Sequence, residues 1–464
     1  MNKEQTEVTM DKIITLCKNR GFIFQAGELY GGTAGIYDYG PLGSLLKNNI
    51  KNAWIKKFVE NRRDMFLLDS AIVMGEKPLT ASGHVGGFSD PLVPDIKTGK
   101  EYRADHVLED IGINPMGMSI EDMTQVIADK KILSPDSNPL GSVREFNLML
   151  KTQLGSSSDS SSTAYLRPET AQGIFVNYKN IVDSMHPKIP FGVAQIGKAY
   201  RNEITPRNFI FRLRELEQME IEYFINADTW QAEFEYWREE INEWTNLIGL
   251  DQQLVHEVEI GESDRAHYSQ RTIDFEFDFP FGQKELYGLA YRGNYDLSKH
   301  AEHSKTKLQY TDPITNETYI PHVIEPSMGL DRTILALLVS AYREDLVGGI
   351  ERSYLALNPL MAPYKIAVSP LVKNKEYIVE KANEVFGLLK AEFGNITWDD
   401  NGNVGKRYRR QDEIGTPFCV VVDYDTLEIG HENFGTVSIR DRDTTQQERV
   451  SIENLKEYFK NKLS

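Results

Sequence analysis

Two arginines far apart in this chain sit among residues that could do chemistry. Arg201 lies in Ala199-Tyr200-Arg201-Asn202-Glu203, and Arg332 lies in Glu325-Pro326-Ser327-Met328-Gly329-Leu330-Asp331-Arg332. Between them, Phe211-Arg212-Leu213-Arg214-Glu215-Leu216-Glu217-Gln218-Met219-Glu220-Ile221-Glu222-Tyr223-Phe224 alternates charged and apolar residues at strand period. Such a strand buries one face and offers guanidinium and carboxylate groups on the other. Arginine forks match phosphate oxygens, while carboxylates hold ammonium groups or metal ions. A site with both suits a polyphosphate beside an amine.

The elements that must position these groups follow from periodicity. A helix is predicted over Met10 to Arg20, with Ile13, Leu16 and Cys17 on one face and Gly21 as its stop. After a glycine- and tyrosine-rich turn, Pro41 opens a long helix striped with Leu42, Leu45, Leu46, Ile50, Trp54 and Phe58. Its other face, with Lys47, Lys51, Lys56 and Lys57, reads as solvated. From about 61 to 163 no sustained pattern holds, apart from a helical piece at Ser119–Ala128 and a serine-rich loop at Gly155–Ser162, so this stretch reads as an insertion. Short β-rich runs such as Thr272–Phe279 then indicate a largely antiparallel sheet, interrupted by a helix with Trp230, Phe234, Trp237, Ile241, Trp244 and Ile248 at helical spacing. Gly329 to Ala341 reads as a further helix. Beyond Pro363 the grammar becomes strand (Tyr364–Pro370), helix (Lys375–Phe393), strand (Pro417–Tyr424) and helix (Ile452–Lys462), which is that of a small α/β domain.

Bulk composition restricts the function classes. The chain has 464 residues, 40% of them hydrophobic and 26% charged, enough for two or three soluble globular domains. Its N-terminus lacks the apolar stretch of a signal peptide, and no later run is long enough to span a bilayer. Both cysteines, Cys17 and Cys419, fall in apolar surroundings and are expected to be buried thiols in a reducing cytoplasm. A formal net charge of −17 opposes nucleic-acid binding over the whole surface but permits a local basic patch.

Taken jointly, three segments resemble the class II aminoacyl-tRNA synthetases, and specifically the homodimeric glycyl type. Tyr39-Gly40-Pro41-Leu42-Gly43 with its helix is similar to the first class motif, which in the family builds the dimer interface. Arg201-Asn202-Glu203, with the loop through Pro206 and the Phe211–Phe224 run, resembles the second, and Gly329-Leu330-Asp331-Arg332 the third. Leu166-Arg167-Pro168-Glu169-Thr170-Ala171-Gln172-Gly173 and Glu325-Pro326-Ser327 narrow the likeness to the glycine enzymes. The resemblance implies an α+β fold: a class II antiparallel sheet flanked by helices, an inserted region, and a C-terminal α/β anticodon-binding domain. The implied divisions are 1–60 (catalytic, with the dimer motif), 61–163 (insertion), 164–358 (catalytic core) and 362–464 (anticodon binding).

It also implies the substrates ATP, glycine and tRNA(Gly), magnesium accompanying ATP, a glycyl-adenylate intermediate, a homodimer and a cytoplasmic location. By resemblance, Arg201 and Arg332 are the catalytic residues, at the α- and terminal phosphates. The nucleotide would further touch Asn202, Glu203, Phe211, Arg212, Leu216, Glu285, Leu286, Gly329, Leu330 and Asp331, with Glu285 also at the metal. Glycine would be held by Glu169, Glu220 and Ser327, with Arg103 and Arg292 near the carboxylate and phosphate. Leu216, Glu217, Gln218, Met219, Glu325, Pro326, Met328 and Gly329 complete that pocket. Leu216 stands where the family shows an aromatic ring, which would remove a stacking contribution of order 1 kcal/mol. Asn294 stands where an acid is frequent. In the C-terminal domain Lys406, Arg407, Arg409 and Arg410 would meet tRNA, as arginine and tyrosine suit phosphates and splayed bases.

Blander readings weigh differently from site to site. His300 and His303 lack the further ligands of a zinc site, and His84 reads as locally structural. A buried ion network is the alternative for Arg201, Glu203 and Arg332. The rival function is a synthetase-like accessory subunit that binds nucleic acid without catalysis. Retention of both arginines and the glycine-pocket acids argues against it.

Overall fold

The computed structural model describes residues 7–155, 162–262, 265–266 and 268–463. Its centre is a seven-stranded sheet of β1 (Met65–Leu67), β2 (Phe191–Tyr200), β3 (Glu215–Ile225), β4 (Val255–Glu259), β5 (Arg271–Phe279), β6 (Gly282–Gly293) and β7 (His322–Gly329). The spatial order is β4-β5-β6-β7-β3-β2-β1. Every neighbouring pair is antiparallel except β1 on β2. In β5 the alternation Ile273, Phe275, Phe277, Phe279 is the buried set, as a period-two strand requires.

One face of the sheet carries the main apolar core. Met219, Ile221, Tyr223 and Met328 point into a cluster with Trp54 and Phe58, Trp237 and Trp244, and Ile334 and Leu338. These come from helix Pro41–Ile55 and the turn after it, helix Trp230–Ile248 and helix Leu330–Ala341. The alternating strand is shorter than the pattern suggested. Residues 211–214 form turns and bends, and the ladder begins at Glu215. Nor is its charged face open to water: Glu220 and Glu222 are 3% and 0% exposed. The antiparallel sheet expected from the sequence is present, with its polar side roofed by other parts of the chain.

Residues of the 61–163 stretch do have order of their own. Ser89–Pro94, Glu101–Arg103 and Arg144–Asn147 make a three-stranded antiparallel sheet over a core of Val93, Leu108, Met123 and Ile127. The helix expected at Ser119–Ala128 is found at Ile120–Asp129, and Ser119 with Asp122 forms a reciprocal cap that satisfies its first amides. In the serine-rich loop, residues 156–161 lie outside the described residues.

The C-terminal sheet has the order Ile396–Trp398, Ile366–Pro370, Phe418–Val422, Thr436–Asp441, Gln447–Ser451. Its first three strands are parallel and the last two form an antiparallel edge, which the βα reading did not include. Helices Glu376–Phe393 and Leu455–Leu463 close a separate apolar core containing Val368, Val385, Val420 and Phe459. Cys17 and Cys419 are both buried free thiols, and burial pushes Cys17 up to about 12. Among the described residues no helix is long and apolar enough to cross a membrane.

Candidate functional site

The polar face of the sheet is the floor of a cleft of about 540 Å³. Register sets what stands on that floor. Gln195 pairs with Glu220, Glu220 with Ser327, Ser327 with Gly288, and Gly288 with Asp274, so one row crosses five strands. Gly288 leaves that row open in its middle, since the nearest atoms to an added Cβ are the Asp274 and Glu285 carboxylates at 4.0 Å. The row therefore has an acid on either side of Ser327 and Gly288, with open space over Gly288.

At the β3 end, Glu220 is gripped from several sides. It accepts hydrogen bonds from the Thr170 hydroxyl, from Gln218 Nε2 at 2.7 Å and from Ser327 Oγ at 2.8 Å. Burial and the nearby Glu169 nonetheless raise its pKa. Glu169 stands in the loop before helix Ala171–Met185, with Gln172 Nε2 donating to its Oε1 at 3.0 Å and His84 Nε2 3.4 Å from its Oε2. Burial opposes its ionisation, but His84, Arg292 and Gln172 hold its carboxyl well below the usual range. Glu325 is pushed up to about 7 by burial despite Arg292. Three acids thus converge where an ammonium group would be welcome.

Next to Glu220 on the same face, register brings Glu222 beside Glu325. Glu222 is fully buried, and neither of its oxygens has a hydrogen-bond partner among the described residues. Burial and Glu325 raise its pKa well above the ordinary carboxylate value, which favours its neutral form.

The other end of the cleft is cationic. Arg201 donates through Nε to the Pro168 carbonyl at 3.0 Å and lies over the Phe88 ring at 5.4 Å. Among the described residues no carboxylate pairs with it. Arg332 donates to the Glu285 carbonyl and to Glu285 Oε2, both at 3.0 Å, and covers the Phe211 ring at 4.4 Å. Arg332 in turn pulls the Glu285 pKa down, whereas burial and two acidic neighbours push Asp274 up to about 7. Glu203 is buried, and its Oε2 and Arg212 Nη1 stand 3.9 Å apart, neither with a hydrogen-bond partner among the described residues. An unsatisfied acceptor and an unsatisfied guanidinium nitrogen in one cleft fit a ligand with amino and phosphate groups. Leu216 and Leu286 line the same space, and Asn202 anchors the loop by donating its amide to the Leu148 carbonyl at 2.7 Å. Where the Leu216 position lacks an aromatic ring, Phe211 offers one, packed edge-on against Phe279 and Phe281.

The N-terminal turn braces this arginine loop. Gly35, at φ +72°, lies so close to Pro206 that an added Cβ would come within 2.5 Å of the proline Cβ. Arg214 fastens the contact, donating to the Glu203 and Ala34 carbonyls at 3.1 Å each.

Several expected site residues are placed elsewhere, for clear reasons. Met219 and Met328 point to the opposite, apolar face because strand neighbours alternate, and Leu330 joins the same core. Pro326 is buried and does not line the cleft, in contrast to Ser327 and Gly329. Arg292 is 2% exposed, holding Asp296 with two nitrogens and Glu325 Oε1 at 2.8 Å, so its guanidinium is saturated behind the pocket. Asp296 supplies a carboxylate that Asn294 does not. Arg103 does line the cleft, but it is paired with Asp90 at 2.6 Å and with Asp105.

Glu217 and Asp331 face the lysines, not the ligand space alone. Lys47 sits 2.6 Å from Glu217 and 3.9 Å from Asp331, Lys51 also pairs with Glu217, and Tyr39 donates to Asp331. The Glu217 amide donates to Asp331 at 2.7 Å. This corrects the solvated-lysine expectation: Lys47 is 8% exposed, and Lys57 pairs with Glu240 and Glu243. Only Lys56 of the four is exposed. The node ties all three sequence motifs together.

In the C-terminal domain the basic segment is a helix, Val404–Glu413. Arg407 is 3% exposed and donates to the carbonyls of Pro370, Asp400 and Gly402, so it braces the fold and cannot reach a nucleic acid. Arg410 pairs with Asp399, Arg409 reaches the Ile350 carbonyl at 3.3 Å, and Lys406 is exposed.

Sequence reasoning missed Asp274, Gly288, Phe88 and Thr170, all at or beside the cleft. The strand alternation around Thr272–Phe279 could have flagged Asp274, whereas nothing local marks Gly288 or Phe88. His300, for which the sequence suggests a surface or hydrogen-bonding role, is not at the surface but buried against Gln172 Oε1 at 2.8 Å. No group of three or more His, Cys, Asp or Glu side chains is placed to hold a metal among the described residues. Glu285 and Asp274 are a pair, which is the number of protein carboxylates magnesium uses when phosphates supply other ligands.

Comparison with known proteins gives the same picture. The tRNA synthetase class II core domain (G, H, P, S and T) matches residues 153–341, and the anticodon binding domain matches residues 365–462. A glycine–tRNA ligase of Clostridium perfringens is 48% identical over 471 aligned residues, covering 98% of this chain and 99% of that protein. Glycine–tRNA ligases of Caldanaerobacter subterraneus and Bacillus cereus are 47% and 45% identical, again with 98% of this chain and 99% of the relative covered.

Proposed function

The chain belongs to the glycine–tRNA ligase family with its class II synthetase core, and on that premise we propose how the cleft works. It joins glycine to tRNA at the expense of ATP. A glycine carboxylate oxygen attacks the α-phosphorus, the bond to the β-phosphate oxygen breaks, and pyrophosphate leaves. The 3′-terminal hydroxyl of tRNA then attacks the carbonyl carbon of glycyl-adenylate, releasing AMP. The attacking carboxylate is already ionised, so activation calls for no general base. Positioning the two reactants can lower the barrier by roughly 7–11 kcal/mol, against about 3–4 kcal/mol for one oriented donor.

Each end of the floor has a part in this reading. Arg201, without a carboxylate partner, meets the α-phosphate, where charge grows as pyrophosphate departs. Arg332 exchanges Glu285 for the terminal phosphate and covers the base, and Arg212 assists along the phosphate tail. Glu203 accepts from the adenine amino group through its unpartnered oxygen. Glu285 and Asp274 would hold the magnesium that accompanies ATP, and the ion would supply neutralisation of phosphate charge there. Glu169, Glu220 and Ser327 take the ammonium, while the saturated Arg292 fixes Glu325 behind them. Glu169, Glu220 and Ser327 would crowd the α-carbon of the bound amino acid, so larger amino acids would be excluded without an editing site.

The observation that carries the assignment is the cleft above the floor row, where Arg201, Arg212 and Arg332 gather toward one end and Glu169, Glu220 and Glu325 toward the other. Lys406, Arg409 and Arg410 are the side chains proposed to meet tRNA. A second copy is proposed to pack around helix Pro41–Ile55, a reading supported by Leu29 and Tyr30, 89% and 91% exposed in the neighbouring N-terminal turn. Glycine-dependent ATP–pyrophosphate exchange tests the enzyme reading. Exchange that requires glycine is expected, and its absence with intact tRNA binding would favour an accessory subunit.

A further inference from the structure

His84 is absent from the scheme above, yet among the described residues of the 61–163 stretch it is the side chain that pairs with an ammonium-binding acid. Its Nε2 lies 3.4 Å from Glu169 Oε2, while Ser82 Oγ lies 2.8 Å from its Nδ1. Both His84 and Glu169 side chains are largely buried, at 12% and 13% exposed, so water screens the contact weakly. Glu169 Oε1 is already occupied by Gln172, whose amide nitrogen also reaches Asp296 at 3.1 Å and whose oxygen faces His300. One oxygen is thus fixed from the helix side and the other faces the imidazole.

Hydrogen accounting shows which nitrogen faces the acid. If Ser82 donates to Nδ1, the neutral ring carries its hydrogen on Nε2, aimed at Glu169. If Nδ1 instead donates to Ser82, a neutral ring would set its bare Nε2 lone pair against a carboxylate, which is repulsive. The remaining form, a protonated ring, again directs a hydrogen at Glu169. Every acceptable arrangement therefore presents an N–H to the acid. The same short segment reaches the nucleotide end, because Phe88 packs on the His84 ring at 5.4 Å and lies beneath Arg201.

We propose that His84 is a positioning residue for glycine recognition: it fixes the Glu169 carboxylate in the rotamer that receives the substrate ammonium. The inference rests on the glycine-pocket reading of Glu169. Without the imidazole, Glu169 Oε2 loses its contact on the insertion side, and the carboxylate can turn from the floor row. The chemistry of activation is untouched, so glycine binding should suffer while turnover does not.

Pyrophosphate exchange at varied glycine and ATP tests this on the full-length protein. His84→Ala should raise the glycine KM about tenfold, the scale of one lost contact to a charged group, with ATP KM and kcat within about twofold. His84→Gln, whose amide nitrogen reaches as far from Cβ as Nε2, should recover most of the loss. Glu169→Gln should itself raise the glycine KM, and His84→Ala added to it should change nothing further. Equal losses for both substrates, no rescue by glutamine, or full additivity with Glu169→Gln would overturn the proposal. If Glu169→Gln leaves the glycine KM unchanged, the pocket reading itself fails. If that variant behaves as expected and His84→Ala has no effect, only the role of His84 fails.

Discussion

Replacing Glu220 by glutamine tests the amine end of the cleft most directly. The substitution keeps shape and removes one charge. Gln218 and Ser327 can still donate to the new carbonyl oxygen, and the Thr170 hydroxyl can rotate to accept from the new amide, so the row across β3 and β7 should persist. What disappears is a buried anion facing an ammonium. A hydrogen bond to a charged group is worth about 1.5–3 kcal/mol net, which is roughly a 10- to 150-fold rise in glycine KM. ATP KM should stay within about threefold, because Arg201, Arg332 and Glu203 lie at the other end of the floor. Glu222→Gln is the internal control, being two residues along the same strand and face but with its neutral form favoured by burial. Pyrophosphate exchange, with each substrate varied at saturation of the other, measures all four constants. The reasoning is refuted if Glu220→Gln raises both KM values alike, or if Glu222→Gln reproduces its glycine defect.

Arg332→Ala should lower exchange by at least about 100-fold, the cost of one preorganised donor, without altering the elution volume in size-exclusion chromatography; near-normal exchange would mean the nucleotide is misplaced. Glu222→Gln should also change stability with pH. A raised folded pKa means the native state keeps a proton that the unfolded state releases above about 4.5, so wild type loses stability as pH rises through that window. Above pH 5 the variant should gain on wild type by up to about 1.4 kcal/mol per pH unit, read from denaturation midpoints, and a constant offset would count against it. In the C-terminal domain, Lys406→Glu should raise the tRNA KM in aminoacylation and leave pyrophosphate exchange alone. Arg407→Ala should instead lower the melting temperature of that domain, since it strands the carbonyls of Pro370, Asp400 and Gly402. A tRNA-specific defect with unchanged melting would reverse that assignment.

Much of the site was legible because its residue types are costly anywhere else. Alternating acids and arginines near Glu215–Ile225 cannot be buried on an apolar face, so a polar floor was predictable. What periodicity could not tell is which partner neutralises each charge. Lys47 and Lys51 look solvated until Glu217 arrives from another strand, and Arg407 looks like an RNA ligand until the Pro370 carbonyl lies beside it. Motif likeness also grouped consecutive residues, whereas a strand sends neighbours to opposite faces. Met219 and Met328 were drawn into the pocket that way. His84, Phe88 and Gly288 carry no local signal, because their meaning comes from contacts made across the fold.

The floor row has a consequence for how this gene can change. Gln195, Glu220, Ser327, Gly288 and Asp274 are neighbours through strand pairing alone. Single-letter replacements alter one tile of that row. Loss or gain of one codon within Glu215–Ile225 would shift the residues of that strand by one place against their neighbours, bringing a methionine or isoleucine to the acid's position and the acid into the apolar core. Length along these strands is therefore under tighter constraint than composition. Reading-frame-preserving insertions should be tolerated in the loops between strands long before they are tolerated inside them.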